Sequence, residues 1–353
     1  MYQTTATLAM ALCLSTAAQA QWITFTNQTG SRISAAAGVS TTDPEEKDYT
    51  WGDVDHDGDI DLVVMRKRPL SCEGGRPNLL LMNENGVLTD RTSTKGNTAI
   101  GVPGGQGVSQ GFLDNTNDRQ ATLVDVDNDG WLDIVTCITI SDNLPQYISH
   151  PRVYMNMGEV AGVWQGFRNE YSRIPNFGGN PRLCSVSAGD LTGDGYVDLF
   201  FVDYDTPESA YCPLIPESCC DTNNKLLINQ GAANPGYFLD ETGARLSAGQ
   251  SAATFGAHGL IADMNGDGNK DILRLNTLTS FLDVSIFNNV NLGSSFSTGL
   301  AYSGNPYSMA TGDLNNDGRY DLVISDDGND KYSINNLPHP SSGNPSFTHF
   351  GLT

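Results

Sequence analysis

The stretch DVDHDGDID, residues 53–61, puts an aspartate at every second position, five in nine residues, with Gly58 among them. Carboxylates this close repel one another. At an effective dielectric near 20, two of them ~5 Å apart cost roughly 3 kcal/mol before screening. Yet the pattern returns as DVDNDGWLD (125–133), DLTGDGYVD (190–198), DMNGDGNKD (263–271) and DLNNDGRYD (313–321). Each copy has Asp at position 1, Asp, Asn or Thr at 3, Asp at 5, Gly at 6 and Asp at 9. The copies start 72, 65, 73 and 50 residues apart, which marks a chain built from repeated units.

The flanks repeat too. A small or apolar run precedes each motif (TWG, ATLV, CSVSAG, HGLIA, SMATG), and a hydrophobic run follows it (LVVM, IVTCI, LFFV, ILRL, LVIS). Next come NLLLMN, RVYMN, KLLIN, VSIFNN and YSINN, then an outer phrase, VLTDRT, GFRNEYS, YFLDETG, SFSTG or SFTHFG. Short Val/Ile/Leu/Phe runs punctuated by Gly, Asn and Asp read as strands and turns. One unit is therefore four strands, with the acidic loop joining the first two. The expected fold is all-β, a β-propeller of five four-stranded blades. A β-sandwich would not reuse one loop five times, and the period is too long for a β-solenoid. A further outer phrase, WITFTNQTG (22–30), has no core of its own and is expected against the last blade, closing the ring. A sixth blade hidden in 92–120 is the minority reading.

Oxygen ligands at positions 1, 3 and 5, a Gly at 6 and a carbonyl at 7 match the front half of an EF-hand loop. The EF-hand then needs Glu at position 12. Here that position is Val64, Thr136, Phe201, Arg274 or Ile324, inside a strand each time, so the closing carboxylate falls to position 9. The DxDxDGxxD core with a following Asn/Gly turn resembles the FG-GAP/VCBS repeat family, the calcium-loop propellers that include the integrin α-subunit head and many exported bacterial proteins. That resemblance implies up to five Ca2+ ions, each held by side chains at positions 1, 3, 5 and 9 and the carbonyl at 7. The sets are Asp53, Asp55, Asp57, Asp61 with Asp59; Asp125, Asp127, Asp129, Asp133 with Trp131; and Asp190, Thr192, Asp194, Asp198 with Tyr196. The last two are Asp263, Asn265, Asp267, Asp271 with Asn269, and Asp313, Asn315, Asp317, Asp321 with Arg319. Ligand charge tunes affinity, so the first two loops should bind tightest and the Thr192 loop weakest, with Arg319 weakening the fifth.

The first twenty residues carry no charge, have an apolar centre and end in Ala18-Gln19-Ala20, the pattern of a secretory signal cleaved before Gln21. Residues 21–353 would be the exported propeller, extracellular or periplasmic. The formal charge of -22 disfavours nucleic acid and anionic lipid and suits cations. Six cysteines follow the signal: Cys72, Cys137, Cys184, Cys212, Cys219 and Cys220. In an exported chain they suggest disulfides, with a local bridge from Cys212 to Cys219 or Cys220 favoured and Cys137 the best candidate for a free thiol.

In a propeller the acidic loops lie on one face, and the connections between strands 2 and 3 lie on the other. Insertions at 66–77, 141–151 and 203–224 lengthen those connections in the first three repeats, making that face the expected ligand surface. Candidate contacts are Arg66, Lys67, Arg68, Tyr147, Trp164, Tyr204 and Tyr211. The favoured function is a non-catalytic binding or adhesion module for a glycan or an extracellular protein. An extracellular carbohydrate-active enzyme of the lyase type is the runner-up, and a scaffold subunit is the third reading. Neither GxSxG, HExxH nor a phosphate loop occurs in a supporting context. His56 and His258 read as structural.

Overall fold

The computed structural model describes residues 26–36, 46–67, 75–102, 111–139, 150–177, 182–203, 223–252, 256–276, 283–337 and 343–352. Within them the chain is all-β, with helices of a single turn only. The first sheet holds β1 (Ile33–Ser34), β2 (Glu46–Gly52), β3 (Asp61–Lys67), β4 (Leu79–Glu84) and β5 (Val87–Asp90). The second holds β6 (Thr98–Ile100), β7 (Asp118–Val124), β8 (Asp133–Ile138), β9 (Val153–Asn156) and β12 (Phe167–Glu170). A small hairpin of β10 (Glu159–Val160) and β11 (Val163–Trp164) interrupts it. The third comprises β13 (Leu183–Gly189), β14 (Asp198–Asp203), β15 (Lys225–Asn229) and β16 (Phe238–Asp240). The fourth comprises β17 (Gly256–Ala262), β18 (Asp271–Asn276), β19 (Asp283–Asn289) and β20 (Phe296–Ser303). The fifth comprises β21 (Pro306–Gly312), β22 (Asp321–Asp326), β23 (Lys331–Asn335) and β24 (Phe347–Gly351). Sheets three to five are antiparallel meanders in sequence order, and sheets one and two are the same meander with one added parallel edge strand, β1 beside β5 and β6 beside β12; in all five the acidic loop joins the first two strands of the meander.

Second strands are apolar on both faces: β3, β8, β14 and β18 are buried from end to end, and β8, β14 and β18 each lie between two sheets. Side chains of one parity pack on the preceding sheet and those of the other on the next. Val63 and Met65 meet Ala121, Ile134 and Tyr154 between sheets one and two. Val135 and Met155 meet Leu199 and Phe201 between two and three. Phe200 and Val202 meet Ile272 and Phe287 between three and four, and Leu273 and Leu275 meet Leu322 and Ile324 between four and five. Each such buried side chain contributes about 1.5–3 kcal/mol.

The inner strands converge. Residues of all five line one cavity of about 190 Å³: Asp48, Gln120, Cys184, His258 and Ser308 among them. A backbone tie recurs there. The residue five before position 1 accepts an N–H from the next inner strand: Ala121 to Asp48, Val186 to Gln120, Gly259 to Ser185 and Met309 to His258.

The junction between the fifth and first sheets differs. The fifth apolar cluster (Leu62, Val64, Leu79, Leu81, with Leu88) draws on sheet one alone. Position 2 is buried in loops one to four (Val54, Val126, Leu191, Met264) but is Leu314, 48% exposed, in loop five. A Cβ on Gly52 or Gly189 would strike the next sheet, whereas nothing lies within 4 Å of one on Gly312. The expected closure by the N-terminal phrase is not what the described part of that phrase does. Residues 28–32 form a turn leading into β1, which pairs in parallel with β5 of the first sheet, and Arg32 donates to the Gly86 carbonyl. The preceding residues 22–25 lie outside the described residues. In 92–120, β6 joins the edge of sheet two in parallel with β12, and no separate four-stranded sheet forms among the described residues.

Candidate metal centres

All five acidic loops fold alike. The position 1 carboxylate turns back over its own loop and accepts the backbone N–H of position 6: Gly58 to Asp53 at 3.0 Å, Gly130 to Asp125 at 2.8 Å and Gly195 to Asp190 at 2.9 Å. Gly268 to Asp263 at 2.9 Å and Gly318 to Asp313 at 2.8 Å complete the set. Position 5 accepts the N–H of position 7 in every copy, as from Trp131 to Asp129 at 2.9 Å. Each glycine at position 6 has φ between 83° and 93°. No neighbouring atom crowds a Cβ there, so glycine is required for its left-handed backbone and not for space. Position 4 is left-handed as well: His56, Asn128, Gly193, Gly266 and Asn316. Asn and Gly at that position were a readable signal, since those residues tolerate positive φ.

Position 9 is buried in all five copies and clasps the loop to the third strand. One carboxylate oxygen accepts the N–H of position 2 (Val54 to Asp61, 3.0 Å; Val126 to Asp133, 3.0 Å). The other accepts the N–H of the asparagine at or next to the end of the third strand (Asn83 to Asp61, 2.8 Å; Asn156 to Asp133, 2.7 Å). Loops three to five repeat both bonds. Burial is the main cause that raises Asp61, Asp133, Asp198 and Asp271, with the other loop carboxylates adding to it. Asp61 is pushed up to about 6, Asp133 to about 8, and Asp198 and Asp271 to about 7. Asp55 and Asp127 rise for the same reasons. Carboxylates gathered into partly buried loops could hold a cation, although Arg173 stands 3.9 Å from Asp127 in the second loop.

Two position 3 atoms support that fit. Oδ1 of Asp127 and Oγ1 of Thr192 are buried oxygens with no hydrogen-bond partner, at the position where a cation ligand is expected. Oxygen atoms of Asp53, Asp55 and Asp61, and of Asp125, Asp127 and Asp133, lie within 4.8 Å of one another. These are the loops of highest ligand charge. In loops four and five other groups engage the position 5 carboxylate. Asn265 donates to Asp267 and Asn315 to Asp317, and the Arg319 guanidinium pairs with Asp317 inside its own loop. Neighbouring loops also touch: His56 stacks on Trp131 with centroids 4.0 Å apart, and Asn128 donates to the Gly195 carbonyl. The side chain of Asp59 is exposed, clear of the carboxylate cluster.

The expected ligand face fares differently. Arg66 and Lys67 are buried at the end of β3 instead of forming a surface patch. The Arg66 N–H donates to Asn78 and its guanidinium reaches the Pro77 carbonyl. β3 is buried along its whole length, so even its last residues are enclosed. Trp164 is buried and donates from Nε1 to Asn156. Arg68, Tyr147, Tyr204 and Tyr211 lie outside the described residues, as do Cys72, Cys212, Cys219 and Cys220. Cys137 and Cys184 are free, buried thiols. Burial raises both well above the ordinary thiol range.

The FG-GAP-like repeat model matches residues 125–201 and 263–324, which contain the second to fifth acidic loops, so these two stretches are FG-GAP-like repeats. No curated protein matches the sequence. Among solved structures, the chain is similar to an Agrocybe aegerita lectin described as recognising non-reducing terminal N-acetylglucosamine (18% identity, TM-score 0.49, 88% of this chain and 66% of that one). It is also similar to RAG in complex with one melted and one unmelted RSS (12%, TM-score 0.46, 86% and 81%) and to NanB with Optactamide (13%, TM-score 0.38, 86% and 48%). The chain thus spans about two thirds of the lectin chain. Among the described residues, no helix is long and apolar enough to cross a membrane.

Proposed function

We propose that the five acidic loops bind Ca2+ and that the protein is an exported, five-bladed β-propeller serving as a non-catalytic binding module for a glycan or an extracellular protein. The observation that carries the reading is the fivefold recurrence of one loop geometry, with position 1 and 5 carboxylates pinned by backbone N–H groups and position 3 oxygens left unpaired in loops two and three. Residues 1–20 serve as the export signal in this reading. Asp53, Asp55, Asp57 and Asp61 would hold the first ion, with the Asp59 carbonyl, and the four matching sets would hold the rest. A bound dication supplies the positive charge that offsets the carboxylate repulsion.

The ions act in this reading as staples. With a Kd of ~0.1–1 mM against ~1 mM calcium, each site adds about 0.4–1.4 kcal/mol by mass action. Five independent sites add roughly 2–7 kcal/mol, a large part of a typical folding stability of ~5–15 kcal/mol. Native mass spectrometry and thermal melting, with calcium and with a chelator, test the metal half. Uptake of up to five ions and a lower Tm on chelation are expected, and an unchanged Tm overturns the reading. A glycan array and a pull-down against extracellular proteins, with and without calcium, test the binding half. Turnover of a polysaccharide would overturn the non-catalytic assignment.

A further inference from the structure

The third strand of each meander carries an asparagine at or next to its end: Asn83, Asn156, Asn229, Asn289 and Asn335. Its backbone N–H serves its own loop through the position 9 carboxylate, but its side chain reaches further. Nδ2 of Asn156 donates at 3.1 Å to the Leu132 carbonyl, position 8 of its own loop, and at 2.7 Å to the Val54 carbonyl, position 2 of the preceding loop. Asn229 spans Val197 and Val126, Asn289 spans Lys270 and Leu191, and Asn335 spans Tyr320 and Met264, with the cross-loop bond at 2.7–2.8 Å each time. The peptide held this way lies between ligand positions 1 and 3. Asn83 donates to Ile60 of its own loop, and no cross-loop bond accompanies it among the described residues.

We propose that Asn156, Asn229, Asn289 and Asn335 are positioning residues that couple neighbouring cation loops, each orienting the ligands of its own loop and of the loop before it. The inference rests on the calcium reading. A primary amide suits the task because it is neutral and offers two N–H groups in fixed geometry to two carbonyls. These asparagines are buried, so truncation leaves carbonyls unpaired away from water. The loop cannot settle elsewhere, since the position 2 side chains Val54, Val126, Leu191 and Met264 are fixed in the cores between sheets. The Val54 N–H bonded to Asp61 passes the constraint on to a ligand carboxylate.

Terbium(III), an oxygen-seeking probe sensitised by Trp131, reports on loops one and two, because Trp131 of loop two stacks on His56 of loop one. The full chain is prepared with only loop one intact (Asp125→Asn, Asp127→Asn) or only loop two intact of that pair (Asp53→Asn, Asp55→Asn). Asn156→Ala is then added to each. Terbium affinity is expected to fall about tenfold in both backgrounds, at the lower end of what outer partners of metal ligands contribute. Asn83→Ala should weaken loop one alone. If Asn156→Ala weakens loop two and leaves loop one unchanged, the coupling is overturned. Absence of terbium and calcium uptake by the unaltered protein would instead overturn the calcium reading. Should circular dichroism show Asn156→Ala unfolded, Asn229→Ala, read at loop two through Trp131, decides the matter by the same criterion.

Discussion

Leu191 and Leu314 hold the same place, position 2 of loops three and five, so replacing each by alanine measures what its sheet junction contributes. Leu191 is 1% exposed and packs with Phe200, Leu226, Ile272 and Phe287 between sheets three and four. Its truncation removes three buried carbons, about 2.4 kcal/mol at ~0.8 kcal/mol each, and leaves a cavity, for a total of about 3–4 kcal/mol. Leu314 is 48% exposed, and among the described residues no following sheet covers it. Roughly half of its transfer energy is lost and no enclosed cavity forms, so Leu314→Ala should cost about 1 kcal/mol. Urea unfolding at one fixed calcium concentration reads the difference as a large midpoint shift for the first variant and a small one for the second, with the slope unchanged. If both variants lose the same stability, the fifth sheet is covered in solution as the other four are, and the open junction is refuted.

Asp198→Ala should destabilise by about 3–5 kcal/mol even in a chelator, because the buried N–H groups of Leu191 and Asn229 both lose their acceptor; a loss that vanishes without calcium would make Asp198 a ligand only. Arg319→Gln frees Asp317 from its ion pair and should tighten calcium binding at loop five severalfold by titration calorimetry; unchanged or weaker binding would refute the electrostatic argument. His258 has its pKa lowered to about 4, first by burial and then by the Arg119 charge. Below the unfolded value near 6.5 the unfolded chain takes up the proton first, so this contribution is present above pH ~6.5 and lost as pH falls through about 4. Screening by the solvent-accessible cavity brings it to roughly 2 kcal/mol. His258→Gln should abolish that part of the difference between urea midpoints at pH 7.5 and 4.5, and an undiminished difference would show that another group carries it.

Every four-strand unit was legible because strands and tight turns are written locally. The alternation of apolar runs with Asn, Asp and Gly located β2 to β5 and their counterparts, and five aligned motifs located the loops. Residues acting across a sheet boundary were not legible. Nothing local distinguishes Asn156 from any other strand-end asparagine until Val54, 102 residues earlier, is seen against its amide. Arg66 and Lys67 read as a basic surface because charge is normally solvated, yet both are buried at the end of β3.

The sequence by itself determined the repeat, the order of the four meandering strands in each unit and the spacing of the acidic residues in each loop, since these follow from patterns written locally along the chain. Tertiary structure alone decided that position 9 clasps the third strand, that the asparagines tie each loop to the one before, and that the fifth sheet presents Leu314 to solvent. Those outcomes depend on how sheets stack, and stacking is set by complementary surfaces that lie far apart along the chain.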